Sequence, residues 1–364
     1  MKIAVIVGTR PEVIRLSVIL KKLREFFNVV LIHTGQNYDA KLNDIFFDEL
    51  KLKKPDYTLG IHTSVFGEQV GCMLTEVEKI LVKEQPDKVL ILGDTNSALS
   101  AIICEKLKIP VFHMEAGNRC FDRTVPEEIN RKLVDSVSSY NLPYTERSKE
   151  NLIKDGISKE HIFVTGNPIF EVLEYYKEEI YNSEILKTLN LRPGHYFLST
   201  FHRAENVDDP IRLRQIVSGL HLISDMFKIP VICSVHPRTK NKLKEFNVEI
   251  NPKHVILHEP FGLFDFINLE NNCVLVLSDS GTISEDACIL RKPNIIIRDA
   301  TERVEVVECG ASILMGTNDI DIYEATNFMM EKHTNWKIPE EYLFHDVSER
   351  VCSILLGKYK WRNF

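Results

Sequence analysis

Residues 111–131 read VFHMEAGNRCFDRTVPEEINR. An apolar run, Ile109-Pro110-Val111-Phe112, leads into a segment carrying His113, Glu115, Arg119, Asp122, Arg123, Glu127, Glu128 and Arg131, with Pro126 closing its irregular part. The pattern predicts a strand over Val111–Glu115, a loop, and a helix over Glu127–Val137. Glu115 then stands at the carboxyl end of a buried parallel strand, where open α/β sheets hold their ligands. A carboxylate directly after a fully apolar strand is costly to bury unless it has a partner or a task. A solvated loop of ion pairs is the other reading of the same charges.

Towards the amino terminus, Lys88–Gly93 reads as a strand followed by Asp94-Thr95-Asn96-Ser97 and a helix through Lys106. Asp94 is a second carboxylate at a strand end, or simply a helix N-cap. The first strand, Lys2–Val7, stops at Gly8. A helix follows with Val13, Leu16, Ile19, Leu20 and Leu23 at three-to-four spacing. The amides of Gly8-Thr9-Arg10-Pro11, with the charges of Arg10 and Arg15, offer a place for an anion. A tight turn with two surface arginines is the alternative. Val29–Thr34 is the second strand, Lys41–Leu50 and Gly67–Lys83 are helical, and Ser139–Tyr144 and Ile162–Thr165 complete the half. Strands alternating with helices mean a parallel sheet covered on both faces.

After the turn Gly166-Asn167-Pro168, a charged helical stretch, Glu171–Leu189, reaches a linker at Leu191-Arg192-Pro193-Gly194. A second βα series then begins. Strands are expected at Tyr196–Thr200, Pro230–Val235, His254–His258, Val274–Leu277 and Pro293–Arg298, and helices at Pro210–Phe227, Leu263–Glu270 and Ile283–Leu290. Their carboxyl ends carry His202-Arg203-Ala204-Glu205-Asn206, His236-Pro237-Arg238 and Ser278-Asp279-Ser280-Gly281-Thr282. Ser280-Gly281-Thr282 opening a helix is a phosphate cradle: small residues let amides approach and the helix end favours anions. Glu285, one turn in, is placed to take two ribose hydroxyls; a capped helix with an acidic first turn is the plainer reading. His236 is a second-rank nucleotide or substrate contact. His113, His236 and His258 all follow apolar runs, where a histidine satisfied by backbone is the commoner case. A last helix, Asp346–Leu356, ends in a basic tail.

The bounds agree with two domains. The chain has 364 residues, 44% hydrophobic and 27% charged, with net charge −7. No arginine- or lysine-rich block points to nucleic acid or an anionic membrane, and no apolar run is long enough to span a bilayer. The apolar run of MKIAVIVGTRP is too short for a signal-peptide core. Eight scattered cysteines without a CxxC pair indicate reduced thiols in the cytoplasm and neither a zinc site nor a disulfide framework.

Taken together, GTRPE, TGQ, GDT, HMEAGNR, PEEINR, TGNP, HRAEN, DSGTISEDA and ATER occur in this order from Gly8 to about Gly316. The series resembles the non-hydrolysing UDP-N-acetylglucosamine 2-epimerase family. The resemblance implies two Rossmann-like α/β domains with parallel sheets in the glycosyltransferase-B architecture, the ligand in the inter-domain cleft. It implies an N-terminal domain over 1–168 with the sugar and the catalytic carboxylates, a UDP-binding domain over 190–345, and a final helix, 346–364, packing back on the first. It also implies an isomerase and a homodimer. Residue by residue, Asp94, Glu115 and Glu127 match the family's acid/base carboxylates, and His202 its catalytic histidine. Arg10, Ser280, Gly281 and Glu285 match positions that hold UDP; Arg15, Arg131 and His236 join them as substrate contacts.

The segment EAGNRCFDRTVPEEINRK is most similar to the branch that converts UDP-2-acetamido-2,6-dideoxy-L-talose to UDP-N-acetyl-L-fucosamine for capsule or lipopolysaccharide O-antigen synthesis. The alternative is UDP-N-acetylglucosamine/UDP-N-acetylmannosamine 2-epimerisation, in which branch leucine replaces Asn118, lysine replaces Arg15 and histidine replaces Asn37. Ser284 and Asp286 stand for glutamine and glutamate, and DATERVE lacks the proline of TERPE. The allosteric UDP-N-acetylglucosamine site of that branch is therefore not carried over.

The chemistry itself asks for carboxylates near C-2 and cations or helix-end amides at the leaving diphosphate. It requires no nicotinamide and no metal. A UDP-sugar glycosyltransferase on the same scaffold would leave the three strand-end carboxylates unexplained. A UDP-sugar sensor would leave Asp94, Glu115, Glu127 and His202 without work.

Overall fold

In the computed structural model, which describes residues 1–35, 46–61, 63, 65–331 and 335–359, the apolar runs form two six-stranded, wholly parallel sheets. The first holds β1 (Lys2–Val7), β2 (Asn28–His33), β3 (Tyr57–Thr58), β4 (Lys88–Leu92), β5 (Val111–Met114) and β6 (Tyr140–Leu142). The second holds β7 (Phe197–Thr200), β8 (Val231–Ser234), β9 (Val255–His258), β10 (Val276–Ser278), β11 (Asn294–Ile296) and β12 (Ser312–Leu314). The orders are β3-β2-β1-β4-β5-β6 and β12-β11-β10-β7-β8-β9. Both run outward from their first strand and then reverse, so each has a topological switch point, at β1/β4 and at β7/β10.

The strands read as unbroken apolar runs because both faces are covered. In the first sheet Ala4, Ile6, Val30, Ile32, Val89 and Ile91 meet Met73, Val77 and Leu81 of the helix Phe66–Glu84. In the second, Phe197, Val231, Cys233, Leu275 and Leu277 pack under Leu213, Ile216, Val217 and Leu220 of the helix Pro210–Phe227. Their neighbours Leu198, Ile232 and Val276 turn to the opposite face, against Leu269, Ile283 and Ala287. Each such side chain contributes about 1.5–3 kcal/mol on full burial.

Local chemistry sets the helix ends. Pro210–Phe227 starts where Asp209 accepts from the N–H groups of Ile211 and Arg212, at 2.7 and 3.3 Å, and stops at Lys228 in the left-handed region. The helix Arg10–Phe26 has Pro11 in its first turn.

The chain divides into two compact units, residues 1–175 with 340–364, and residues 176–339. The stretch 176–189 belongs to the second: Tyr176 lies against Phe264, and the Ile180 carbonyl accepts from Asn268. The expected single helical stretch Glu171–Leu189 is instead covered by three short helices, Ile169–Tyr175, Lys177–Tyr181 and Ile185–Thr188, the first of them in the first unit. Within the first unit the last helix, Val347–Leu356, packs on Arg10–Phe26 and donates from Ser348 to Glu171. Asn37, the start of the expected Lys41–Leu50 helix and most of the basic tail lie outside the described residues. Among the described residues no helix is long and apolar enough to cross a membrane.

Candidate active site

At the switch point of the first sheet, β4 ends in Gly93, whose φ of +79° turns the chain and brings Asp94 over the strand end. Arg131, on the helix Pro126–Val137, places Nε at 2.8 Å and Nη2 at 2.7 Å from the same Asp94 oxygen, Oδ2. The neighbouring Asn130 donates to the Asp94 carbonyl at 2.9 Å. Asp94 is thus held by the helix that also carries Glu127, and the N-cap position of the helical turn after it belongs to Thr95 instead.

Beside it, β5 ends at Met114, one residue earlier than the alternation predicts, because Glu115 leaves the strand with φ +65°. Most other non-glycine residues with positive φ, such as Gln85, Lys108 and Lys228, lie one or two residues past the end of a helix. Glu115 does not, and a left-handed non-glycine residue stores about 1–3 kcal/mol of strain. Its N–H donates to Leu142 O at 3.1 Å, and its buried carboxylate accepts from the Tyr144 hydroxyl at 3.2 Å. Asn118 Nδ2 lies 3.5 Å from its other oxygen. Glu127 occupies the first turn of Pro126–Val137, where the helix end favours an anion. Its neighbour Glu128 is the buried one, taking the Cys120 N–H and Arg131 Nη1, each at 3.1 Å. Sequence reading passed over Glu128; its spacing of three from Arg131 was the available signal.

The turn after β1 is already filled. Glu12 is 2% exposed and accepts from the N–H groups of Gly8 and of Thr9 and from the Thr95 hydroxyl. Two of the amides expected to face an anion there, those of Gly8 and Thr9, are therefore occupied by the chain's own carboxylate. Burial pushes the Glu12 carboxyl up to about 7, against the pull of those donors and with a further push from Asp94. Arg10 lies over the Phe46 ring at 3.9 Å, and burial lowers its guanidinium to about 10. Arg15 is buried and donates to Asn167 Oδ1 at 2.8 Å, joining the helix Arg10–Phe26 to TGNP.

At the second switch point, Asp279 directly follows β10 and is fully buried. Its carboxylate accepts from His202 N at 3.0 Å, Arg203 N at 2.9 Å and Asn206 Nδ2 at 3.1 Å. His202 itself stays open to solvent, its Nδ1 3.5 Å from Asp279 Oδ1. Asp279 therefore orders the loop that presents His202, a role the DSGT motif held without its being singled out. His236 caps the helix Pro237–Glu245, Nδ1 accepting from Arg238 N at 3.3 Å. Burial first, then the charges of His202 and Arg238, lower its imidazolium. The helix Gly281–Ile289 begins two residues before the expected Ile283. The Ser280 hydroxyl meets that of Thr282 at 2.9 Å and does not cap the helix. Glu285 is 1% exposed, and Arg303 Nε reaches one of its oxygens at 2.7 Å.

Of the sequence-derived residues, Asp94 and Arg131 meet directly, and Glu115 directly follows the strand beside the one that Asp94 follows. Arg10, Arg15 and Glu285 each meet other residues of their own unit: Phe46, Asn167 and Arg303. Strand-end carboxylates over one doubly wound parallel sheet, and a histidine loop over another, define a protein of two Rossmann-like α/β units in the glycosyltransferase-B class. Residues 21–356 match the family model described as UDP-N-acetylglucosamine 2-epimerase. The chain is 46% identical over 369 residues to the UDP-N-acetylglucosamine 2-epimerase of Methanocaldococcus jannaschii, covering 99% of this chain and 100% of that one. It is 36% identical over 337 residues to the UDP-2,3-diacetamido-2,3-dideoxy-D-glucuronate 2-epimerase of Pseudomonas aeruginosa, covering 91% and 93%. The crystal structure of the Methanocaldococcus jannaschii UDP-GlcNAc 2-epimerase in complex with UDP-GlcNAc and UDP superposes with a TM-score of 0.93 at 45% identity, covering 98% of this chain and 99% of that one. The chain belongs to the UDP-N-acetylglucosamine 2-epimerase family and is a UDP-sugar 2-epimerase, an isomerase.

Proposed function

We propose that the chain interconverts UDP-N-acetylglucosamine and UDP-N-acetylmannosamine by eliminating and re-adding UDP. The observation that carries the chemistry is the pair of carboxylates, Asp94 and Glu115, at the ends of adjacent strands beside the switch point. The relatives' names favour this substrate. The hydrogen on C-2 is poorly acidic, so simple deprotonation faces a very high barrier. In the proposed route a carboxylate takes the C-2 proton while the C-1–oxygen bond breaks and its electrons leave with UDP, giving a 2-acetamidoglycal. A second carboxylate returns a proton to the opposite face of C-2 as UDP oxygen re-forms the bond to C-1.

Asp94, Glu115 and Glu127 are the acid/base set in this reading, with Arg131 fixing Asp94. The first unit supplies these groups to the sugar. The second binds UDP: His202 and the first-turn amides at Ser280-Gly281 meet the diphosphate, His236 is a further contact, and Glu285 meets the ribose. Arg10 and Arg15 add positive charge from the first unit.

A second reading, UDP-2-acetamido-2,6-dideoxy-L-talose to UDP-N-acetyl-L-fucosamine for capsule or O-antigen polysaccharide, is favoured by Asn118. Its amide lies beside Glu115 and its Oδ1 accepts from Ser148 at 2.9 Å. The protein is proposed to work in the cytoplasm as a homodimer. Ile129, Leu133 and Val137 form an exposed apolar stripe suited to a second copy; a monomeric mass by light scattering would count against the dimer.

The test is proton NMR of both sugars, in parallel, in heavy water. Conversion of the glucosamine sugar with loss of its H-2 signal supports the first reading. Conversion of the talose sugar alone replaces it with the second. Exchange in neither overturns the elimination route. Glu115→Gln is expected to slow exchange by about 10²–10⁴-fold with UDP binding retained.

A further inference from the structure

His113 sits on β5, two residues before Glu115, and is 1% exposed. Its Nε2 is 2.8 Å from the Gly93 carbonyl, and its Nδ1 is 2.9 Å from Asp135 Oδ1. Gly93 immediately precedes Asp94. Asp135 lies on the helix Pro126–Val137, which carries Glu127 and Arg131. The other Asp135 oxygen accepts from Gly117 N at 3.1 Å, in the turn that follows Glu115, and meets Arg119 Nη2 at 2.7 Å. One buried imidazole and its carboxylate therefore tie together all three segments that bear the candidate acid/base groups.

We propose that His113 is a positioning residue of the epimerase reaction, an imidazolium that holds the Asp94, Glu115 and Glu127 segments in register for proton transfer at C-2. The inference rests on the epimerase reading above. The ring's surroundings favour the imidazolium: the Gly93 carbonyl at Nε2 can only accept, and Nδ1 stands 2.9 Å from an Asp135 carboxylate that also takes the Gly117 N–H and has the Arg119 guanidinium beside it. The groups facing the ring are the Asp135 carboxylate, the Gly93 carbonyl and, at its own strand end, the Glu115 carboxylate. Arg119 stands behind Asp135, and Asp155 beyond it at 2.8 Å. Burial alone would lower the imidazolium; Asp135, Gly93 and Glu115 outweigh it and keep it above the ordinary histidine range. Burial likewise would raise Asp135, yet His113 and Arg119 hold it below the ordinary carboxylate range.

Two measurements test this. In the full-length protein labelled with ¹⁵N-histidine, at mildly alkaline pH, one imidazole is expected to keep both nitrogens protonated, and its signal is expected to vanish in His113→Gln. A neutral His113 overturns the proposal whatever the substrate is. In kinetics, His113→Gln is expected to lower kcat about a hundredfold, the size associated with an ångström of misplacement, with the UDP dissociation constant unchanged. Asp135→Asn removes the anionic partner. The ring then titrates within the assay range and kcat gains a limb that falls as pH rises, absent from the His113→Gln/Asp135→Asn double variant. A purely structural role predicts lower stability and no new limb; an Asp135→Asn profile parallel to the wild type overturns the proposal. Absence of H-2 exchange by the wild type with either sugar strikes the epimerase reading instead and leaves the imidazole measurement decisive.

Discussion

Arg131 holds Asp94 by two nitrogens on one oxygen, Nε at 2.8 Å and Nη2 at 2.7 Å. The same guanidinium reaches Glu128 with Nη1 at 3.1 Å. A lysine is a point charge on a flexible stem and cannot reproduce this three-nitrogen geometry. Arg131→Lys is expected to lower kcat by about 10- to 100-fold, the equivalent of losing a charge-assisted hydrogen bond of roughly 1.5–3 kcal/mol. Steady-state kinetics beside UDP titration checks it; a fall in UDP affinity with unchanged kcat would contradict the assignment.

Glu12 gives the protein a pH signature. Burial raises its carboxyl from 4.5 to about 7, so the folded state binds more protons than the unfolded state between those values. Stability is then full below the unfolded pKa and falls as pH rises through the folded one, by roughly 3 kcal/mol if the whole shift is realised. Thermal melts across this window are expected to show the decline. Glu12→Gln keeps an oxygen for the Gly8 and Thr9 amides and is expected to flatten it.

A side chain at Gly281 has no room. An added Cβ would lie 2.5 Å from Glu302 Oε1, whose other oxygen receives Arg298 Nη1 at 3.0 Å. Gly281→Ala is expected to destabilise the protein by about 1–3 kcal/mol. It is also expected to weaken UDP binding at least tenfold, read by calorimetry, because Glu302 or the helix start has to shift.

Asp279→Asn removes the charge from the oxygen, Oδ2, on which three donors converge, and puts an amide NH₂ where Oδ1 accepts from His202 N at 3.2 Å. The expected outcome is a loss of about 1–3 kcal/mol in stability. UDP affinity and kcat should fall together as the His202 loop loosens; a variant with wild-type kcat would show that His202 needs no such support.

Much of the fold is readable from pattern. Continuous apolar runs such as Ile3–Val7 and Val89–Leu92 are buried on both faces, and only a covered parallel sheet permits that. The strand ends carrying Asp94, Glu115, His202 and Asp279 follow from the same runs. The helix Pro237–Glu245 was not legible, because its one core residue is Leu243 and no apolar period exists to read. The strand Ser312–Leu314 is too short to show an alternation.

The sequence by itself determined two βα series, their strand-end polar clusters and the ordered motifs that place the chain in its family, because periodicity and motif order are local properties of the chain. Only the tertiary structure decided which charges meet. It gave Arg131 to Asp94 across 37 positions and Arg15 to Asn167 across 152, filled the first turn's amides with Glu12, and set His113 between Gly93 and Asp135. Buried polar groups must find partners wherever the fold brings them. Those partners are fixed by sheet order and helix packing, which no local stretch of sequence contains.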